Sequence, residues 1–273
     1  MSAGFFILPI CEVTEIEFWL TPSVYAADWG WGGHRMSACI VFWRQDAEFQ
    51  ADLSFLHPEE LNYYHSLKYE RRMRSFLSGR YAAKTAIAGW GGEAQLREMH
   101  EMRIDQGIFQ QPVALVQGAS ALEVSITHGD GAAAAIAFDR HVPSGIDLER
   151  VDPGKRAILA AQLTEREQAI VETLPGPELE ALTVFWTAKE ALSKALKTGL
   201  TVSMQLFEIQ HAAVRNGGIV SCFEHFAQYE AASFVCAPYI CSIVYPKRAR
   251  LDHEAVSAWL CGAHRHAAIT KGW

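Results

Sequence analysis

"FWTAKEALSKALKTGL", Phe185 to Leu200, has the spacing of an amphipathic helix closed by a glycine. At about 100° per residue, Phe185, Ala188, Leu192 and Leu196 form one stripe and Glu190, Lys194 and Lys197 the opposite one. Glu190 and Lys194 stand in the favoured i,i+4 orientation, which contributes only about 0.2–0.5 kcal/mol. A surface helix with a routine ion pair accounts for this pattern. So does a site that handles phosphate and metal, with Lys189, beside the apolar stripe, reaching a ligand that Glu190 also touches through the metal.

The stretch has an echo upstream. "AAKTAI" (82–87) lines up with "TAKEAL" (187–192), placing Lys84 and Lys189 105 residues apart. "HPEEL" at His57 and "TEREQ" at Thr164, 107 residues apart, both read as helix starts with glutamates in the first turn. The strand-like "CIVFWR" (39–44) stands about as far before "SGIDLE" (144–149). Three correspondences at nearly one offset predict two copies of a strand–helix–helix–strand unit. The expected division is a first half over 37–143 and a second over 144–246, with an N-terminal extension (1–36) and a C-terminal helical extension (247–273). Within these, strands are expected at 37–43, 122–127, 132–138, 144–149, 205–209 and 234–245, and helices at about 58–90, 155–173, 178–198 and 252–266. "GDG" (129–131) reads as a hairpin turn, and Pro175, Gly176 and Pro177 as a break between helices.

The copies divide their charges. Thr85 stands where Glu190 does, and Phe42 and Arg44 stand where Asp147 and Glu149 do. Lys68, Arg71, Arg72, Arg74, Arg80 and Lys84 crowd one stretch of the first half, against Glu70 alone. One half is thereby suited to an anionic ligand and the other to a metal.

Composition limits the alternatives. Half of the 273 residues are hydrophobic and the net charge is −7, which suits a folded chain with a real core and excludes a general polyanion binder. No apolar run reaches the roughly 20 residues of a membrane helix. The first twenty residues carry Glu12, Glu15 and Glu17 without a basic start, a poor signal peptide. Six cysteines without a CxxC pair favour reduced thiols and a cytoplasmic location. Cys261, His264 and His266 in "CGAHRH" could ligate zinc on paper but have no partner cluster.

Three places could carry chemistry. Asp147 and Glu149, at i and i+2 of a strand, share one face, with Ile146 and Leu148 on the other. Two carboxylates so placed suit Mg²⁺, although a half-solvated acidic strand looks the same. Glu190 and Lys194 face one way on the helix. Thr127 and His128, in "SITHGDG", end a strand where a hydroxyl and an imidazole could hold a phosphate, or simply polarise a turn.

"SGIDLE" followed by "WTAKEALSK" resembles the paired signature of the 4′-phosphopantetheinyl transferases of the Sfp type, a (V/I)G(V/I)D-x-E strand and a W-x-x-K-E-(A/S)-x-x-K helix. Gly145, Ile146, Asp147 and Glu149 fill the first; Trp186, Lys189, Glu190, Ala191 and Lys194 fill the second. "SITHGDG" is similar to the family's serine–histidine turn and "RSFLSGRYAAK" to its arginine-bearing helix, so the resemblance covers roughly residues 38 to 245. It implies an α+β pseudo-dimer of two similar α/β halves with the active site between them. It also implies transfer of the phosphopantetheine arm of coenzyme A to a serine of an apo acyl or peptidyl carrier protein, releasing adenosine 3′,5′-bisphosphate. The family pattern would have Asp147, Glu149 and Glu190 hold Mg²⁺, with Glu190 accepting the serine proton directly or through a metal-bound water. Lys189 and Lys194 would contact the pyrophosphate or phosphates, with Lys194 assisting the leaving group. Thr127 and His128 would bind the 3′-phosphate and Arg74 the nucleotide. A monomer that binds neither nucleic acid nor membrane is the expected form. The chain departs from the pattern in having Thr127 for serine, and Gln110, Gln111 and Pro112 where the family often has Gly-Lys-Pro.

Two other readings stand beside this one. A degenerate relative could bind a carrier or coenzyme A without reacting. An unrelated Mg²⁺-dependent phosphotransferase would be expected to show a P-loop or kinase motif, and neither occurs in the sequence.

Overall fold

The computed structural model describes residues 23–29, 34–42, 52–91, 99–116 and 122–271. The expectations for residues 1–22 and Arg44, and for the side chains of His264 and His266, lie outside the described residues. Strands β1 (Ser23–Trp29) and β2 (His34–Phe42) are followed by helices α1 (Pro58–Ser66) and α2 (Glu70–Gly91). Then come β3 (Arg103–Gln106), β4 (Pro112–Leu115), β5 (Leu122–Gly129), β6 (Ala132–Asp139) and β7 (Gly145–Arg150). Helices α3 (Arg156–Ala161), α4 (Glu165–Val171) and α5 (Glu178–Ala195) lead to β8 (Ile209–Arg215), β9 (Gly218–Phe223), β10 (Tyr229–Cys236), β11 (Tyr239–Pro246) and α6 (His253–Lys271).

The strands form a four-stranded sheet in the order β1-β2-β6-β5, a five-stranded sheet in the order β7-β11-β10-β9-β8, and the separate β3–β4 hairpin. Every pairing is antiparallel. α2 packs on the first sheet and α5 on the second. The opposite faces meet in one buried cluster: Ile40 and Ile136 from the first sheet, Ile146, Phe234 and Ile243 from the second, and Trp259 and Leu260 from α6. Alternate residues of β2, β6 and β11 thus pack to opposite sides, which is why these strands are mostly apolar. Among the described residues, no helix is long and apolar enough to cross a membrane.

One polar network occurs twice. α1 begins with His57 and α4 with Thr164, and each start closes a capping box with the glutamate three residues on, Glu60 or Glu167. Glu60 then accepts from Ile104 N at 2.9 Å and pairs with Lys84 of α2. Glu167 accepts from Ile209 N at 2.8 Å and pairs with Lys189 of α5 at 2.7 Å. The residues aligned in the sequence at one offset therefore make equivalent contacts on the two sheets.

Local boundaries differ from expectation where a turn interrupts an apolar run. Residues 234–245 form two strands, β10 and β11, because Pro238 has no N–H to continue a ladder. The expected helix at 58–90 is two helices parted at Leu67–Tyr69, and that at 155–173 is parted where Thr164 caps α4. Residues 204–207 are a short 3₁₀ turn, with the strand starting at Ile209.

α5 lies almost on the backbone of β7. A Cβ added at Gly145 would stand 2.0 Å from Ala191 O and 2.8 Å from Ala195 N. Neither is the end of a flexible side chain. Gly145→Ala should push α5 away from β7 and lower stability in urea by about 3 kcal/mol or more, the upper part of the range for overpacking; an unchanged midpoint would contradict this contact.

Candidate functional site

Strand β7 presents Gly145, Asp147 and Glu149 on the face toward α5, while Ile146 and Leu148 enter the cluster between the sheets. The close approach at Gly145 brings Glu190 and Lys194 of α5 beside the two carboxylates. Lys194 Nζ donates to Asp147 Oδ1 at 2.7 Å and to Ile146 O at 3.2 Å. From the first sheet, Thr127 Oγ1 donates to Asp147 Oδ1 at 2.9 Å and accepts from Leu148 N at 3.3 Å. Ser125 Oγ accepts from Ile146 N at 3.2 Å. β5 and β7, edge strands of different sheets, are thus joined through hydroxyls.

Asp147 is 4% exposed, and among the described residues its buried Oδ2 has no hydrogen-bond partner. Burial, and then the neighbouring Asp147 charge, pushes the Glu190 carboxyl up to about 7, against the pull of Lys194. Burial and Asp147 likewise raise Glu149, with Lys155 opposing. Lys155 Nζ lies 2.9 Å from Glu149 Oε2. The three carboxylates therefore repel one another in a half-buried setting, and a buried oxygen there is unmatched.

Among the described residues, no three His, Cys, Asp or Glu side chains already form a metal-holding group. Lys194 and Lys155 each pair with one of the strand carboxylates. An all-oxygen donor set, the orphaned Asp147 Oδ2 and the raised Glu190 nonetheless fit a hard divalent cation such as Mg²⁺.

His128 follows Thr127 and borders two spaces. One, of about 340 Å³, is lined by Arg72, Ser75, Arg80, Arg103 and Gln110. The other, of about 920 Å³, is lined by Tyr69, Arg71, Arg72, Arg74 and Asp130. Burial first, then the charges of Lys194, Arg80 and Arg72, hold His128 below its usual range, so it is neutral at pH 7. A neutral imidazole among guanidinium groups marks a place where an anion is favoured. Arg74 lines the larger groove and also pairs with Glu70 at 2.6 Å. A third space, of about 460 Å³, is bordered by Gln110, Gln111, Lys194 and Lys197.

Two residues expected at a phosphate have other partners in this structure. Lys189 is 0% exposed, with its ammonium held by Glu167 and by Gln162 O at 3.2 Å, so it anchors α4 to α5 and is not placed to meet a phosphate. Thr127 is 5% exposed and its one hydroxyl proton goes to Asp147, leaving none for a phosphate. Residues that sequence reading did not assign also border the site. Arg72 and Arg80 lie in the basic stretch quoted above, but only the packed helix shows that they face His128. Lys155 carries no local signal, since its partners lie on β7 and in the β5–β6 turn.

Residues 143–244 match the family model of the 4′-phosphopantetheinyl transferase superfamily. The matched segment contains Asp147, Glu149, Glu190 and Lys194 and stops short of Thr127, His128 and the basic helix. No curated protein matches the chain.

Two stability measurements separate these roles. Lys189→Met leaves Glu167 buried without its cation and should lower stability by about 3–5 kcal/mol; an unchanged urea midpoint would contradict this anchoring. A carboxyl that is harder to ionise when folded stabilises the fold below pH 4.5, and that contribution is lost as pH rises through about 7. In metal-free protein, Glu190→Gln should accordingly gain about 1–3 kcal/mol at pH 8 and little near pH 5. Equal gains at both pH values would rule out charge as the cause.

Proposed function

We propose that the chain transfers the 4′-phosphopantetheine arm of coenzyme A to a serine hydroxyl of an apo acyl or peptidyl carrier protein, releasing adenosine 3′,5′-bisphosphate. It would do so as an Sfp-type enzyme whose two sheet–helix units are diverged halves of a pseudo-dimer. The observation that carries this reading is Glu190 lying within the electrostatic influence of Asp147 and Glu149, with Asp147 Oδ2 buried and unpartnered among the described residues, and with a groove nearby lined by arginines and His128.

In this reading a serine O–P bond forms and the P–O bond to the nucleotide breaks, with the serine proton passing to Glu190. Burial and the Asp147 charge hold Glu190 near 7 in the metal-free protein, which keeps a basic carboxylate in the site; a bound cation would draw that value down. Asp147, Glu149 and Glu190 would hold Mg²⁺, which supplies neutralisation of charge on the pyrophosphate. Lys194, anchored to Asp147 and bordering the space next to Gln110, stands where departing negative charge would be met. His128, Arg72 and Arg74 take the phosphate of the nucleotide end, replacing the expected hydroxyl of Thr127. Thr127 orients Asp147 instead.

The test is incubation of the purified chain with coenzyme A, Mg²⁺ and a panel of unrelated apo carriers, followed by intact mass. Wild type should add one phosphopantetheine to at least one carrier; no addition, where a control transferase modifies all of them, would overturn the proposal. Asp147→Asn should slow transfer by about 100-fold or more. Arg74→Ala should act mainly through KM for coenzyme A, raising it about tenfold, the worth of one charge-assisted hydrogen bond; an unchanged KM removes Arg74 from the site.

A further inference from the structure

We infer that Lys155 is an internal rival of the divalent cation, neutralising Glu149 in the metal-free protein and setting how tightly the acidic cluster takes an ion. The inference rests on the reading of Asp147, Glu149 and Glu190 as metal ligands.

Lys155 ends a single 3₁₀ turn, Pro153–Lys155, which directly follows β7. The turn is fixed at its start, where Asp152 Oδ1 accepts from Gly154 N at 2.8 Å. The lysine stem therefore leaves the backbone at a set point beside the end of the acidic strand. Its ammonium lies between two carboxylates from different sheets, 2.9 Å from Glu149 Oε2 and 3.5 Å from Asp130 Oδ2. Asp130 belongs to the turn joining β5 to β6, whose backbone is held by Tyr239 OH donating to Asp130 O at 2.9 Å. Arg71 Nη2 also lies 3.9 Å from Asp130 Oδ1.

The two lysines of the cluster differ in what they can do next. Lys194 is the more buried and is bound to Asp147 and to the backbone of β7. Lys155 is 37% exposed and already touches a second carboxylate that is not one of the three ligands. When Glu149 turns to an ion, Lys155 can pass to Asp130 without losing a partner or entering an apolar space. Asp130 is then the resting place that lets Glu149 go. Removing the lysine should free Glu149, whereas removing the Asp130 charge should leave Lys155 on Glu149 more of the time.

Binding of Mn²⁺ to the full chain without coenzyme A, followed by the electron paramagnetic resonance of free Mn²⁺, reads this directly. Lys155→Met should bind Mn²⁺ about fivefold more tightly, the effect expected of one half-exposed ion pair. Lys155→Arg should stay near wild type, and Asp130→Asn should bind more weakly. Opposite signs in the methionine and asparagine variants exclude general damage to the fold, which would weaken both. Arg156→Met removes a neighbouring cation paired with Glu178 and should change nothing; the same tightening there would reduce the effect to net charge and overturn the role of Lys155. Unchanged or weaker binding in Lys155→Met, with binding abolished in Asp147→Asn, would overturn the inference and leave the metal cluster standing. Undiminished binding in Asp147→Asn, or no binding by wild type with or without coenzyme A, would overturn the cluster and the inference together.

Discussion

The Thr127 hydroxyl makes two hydrogen bonds across the junction of the sheets, accepting from the backbone of β7 and donating to Asp147. β7 is laddered to β11 on one side only. On its other side, Ile146 N and Leu148 N meet the side chains of Ser125 and Thr127. A buried N–H left unmade would cost about 1–3 kcal/mol, so short hydroxyl residues at alternate positions of β5 are a structural requirement. Slipping β5 by one residue would put Ile126 in their place. The arrangement also fixes the site, because Thr127 and Lys194 together hold Asp147 Oδ1 and leave Oδ2 unmatched.

The twofold glutamate–lysine network does a different job. In each unit one carboxylate serves a helix cap, a strand N–H and a lysine from the long helix, so a buried charge is paired and its lone pairs are used. Once Lys84 and Lys189 are committed in this way, the units differ chemically at the next position. Thr85 is buried in the first, while Glu190 stands among carboxylates in the second. A difference at a single helix position separates a helix that only packs from one that also bears a titratable group near neutrality.

Period and offset carried much of this in the sequence. The alternation through Gly145, Asp147 and Glu149 placed the carboxylates on one face, and the stripe of Phe185, Ala188 and Leu192 is the buried side of α5. The position of Lys189 beside that stripe suits both reach toward a ligand and burial, and in the structure the side chain is buried against Glu167. Its partner Glu167 is distant in sequence, yet the spacing from Glu60 to Lys84 nearly repeats from Glu167 to Lys189. A hydroxyl at a strand end suits a phosphate and a carboxylate equally, and that of Thr127 goes to Asp147. The β8–β9 hairpin has a legible turn, Asn216–Gly217, with both residues at positive φ. Its flanking strand is half polar and hid the pattern. The contacts of Arg80 and Lys155 depend on how separate elements pack, which no local period encodes.

The last helix bears on the order in which the molecule can be completed. Val256, Trp259 and Leu260 of α6 fill the same interior to which both sheets contribute. A chain emerging residue by residue can pair β2 with β6 and lay α2 over them well before that interior exists. The inner face of the first sheet then stays wet through the synthesis of more than a hundred further residues, until β11 and α6 arrive. For that interval the nascent chain carries an open apolar surface, and the first turns of α6 help to close it.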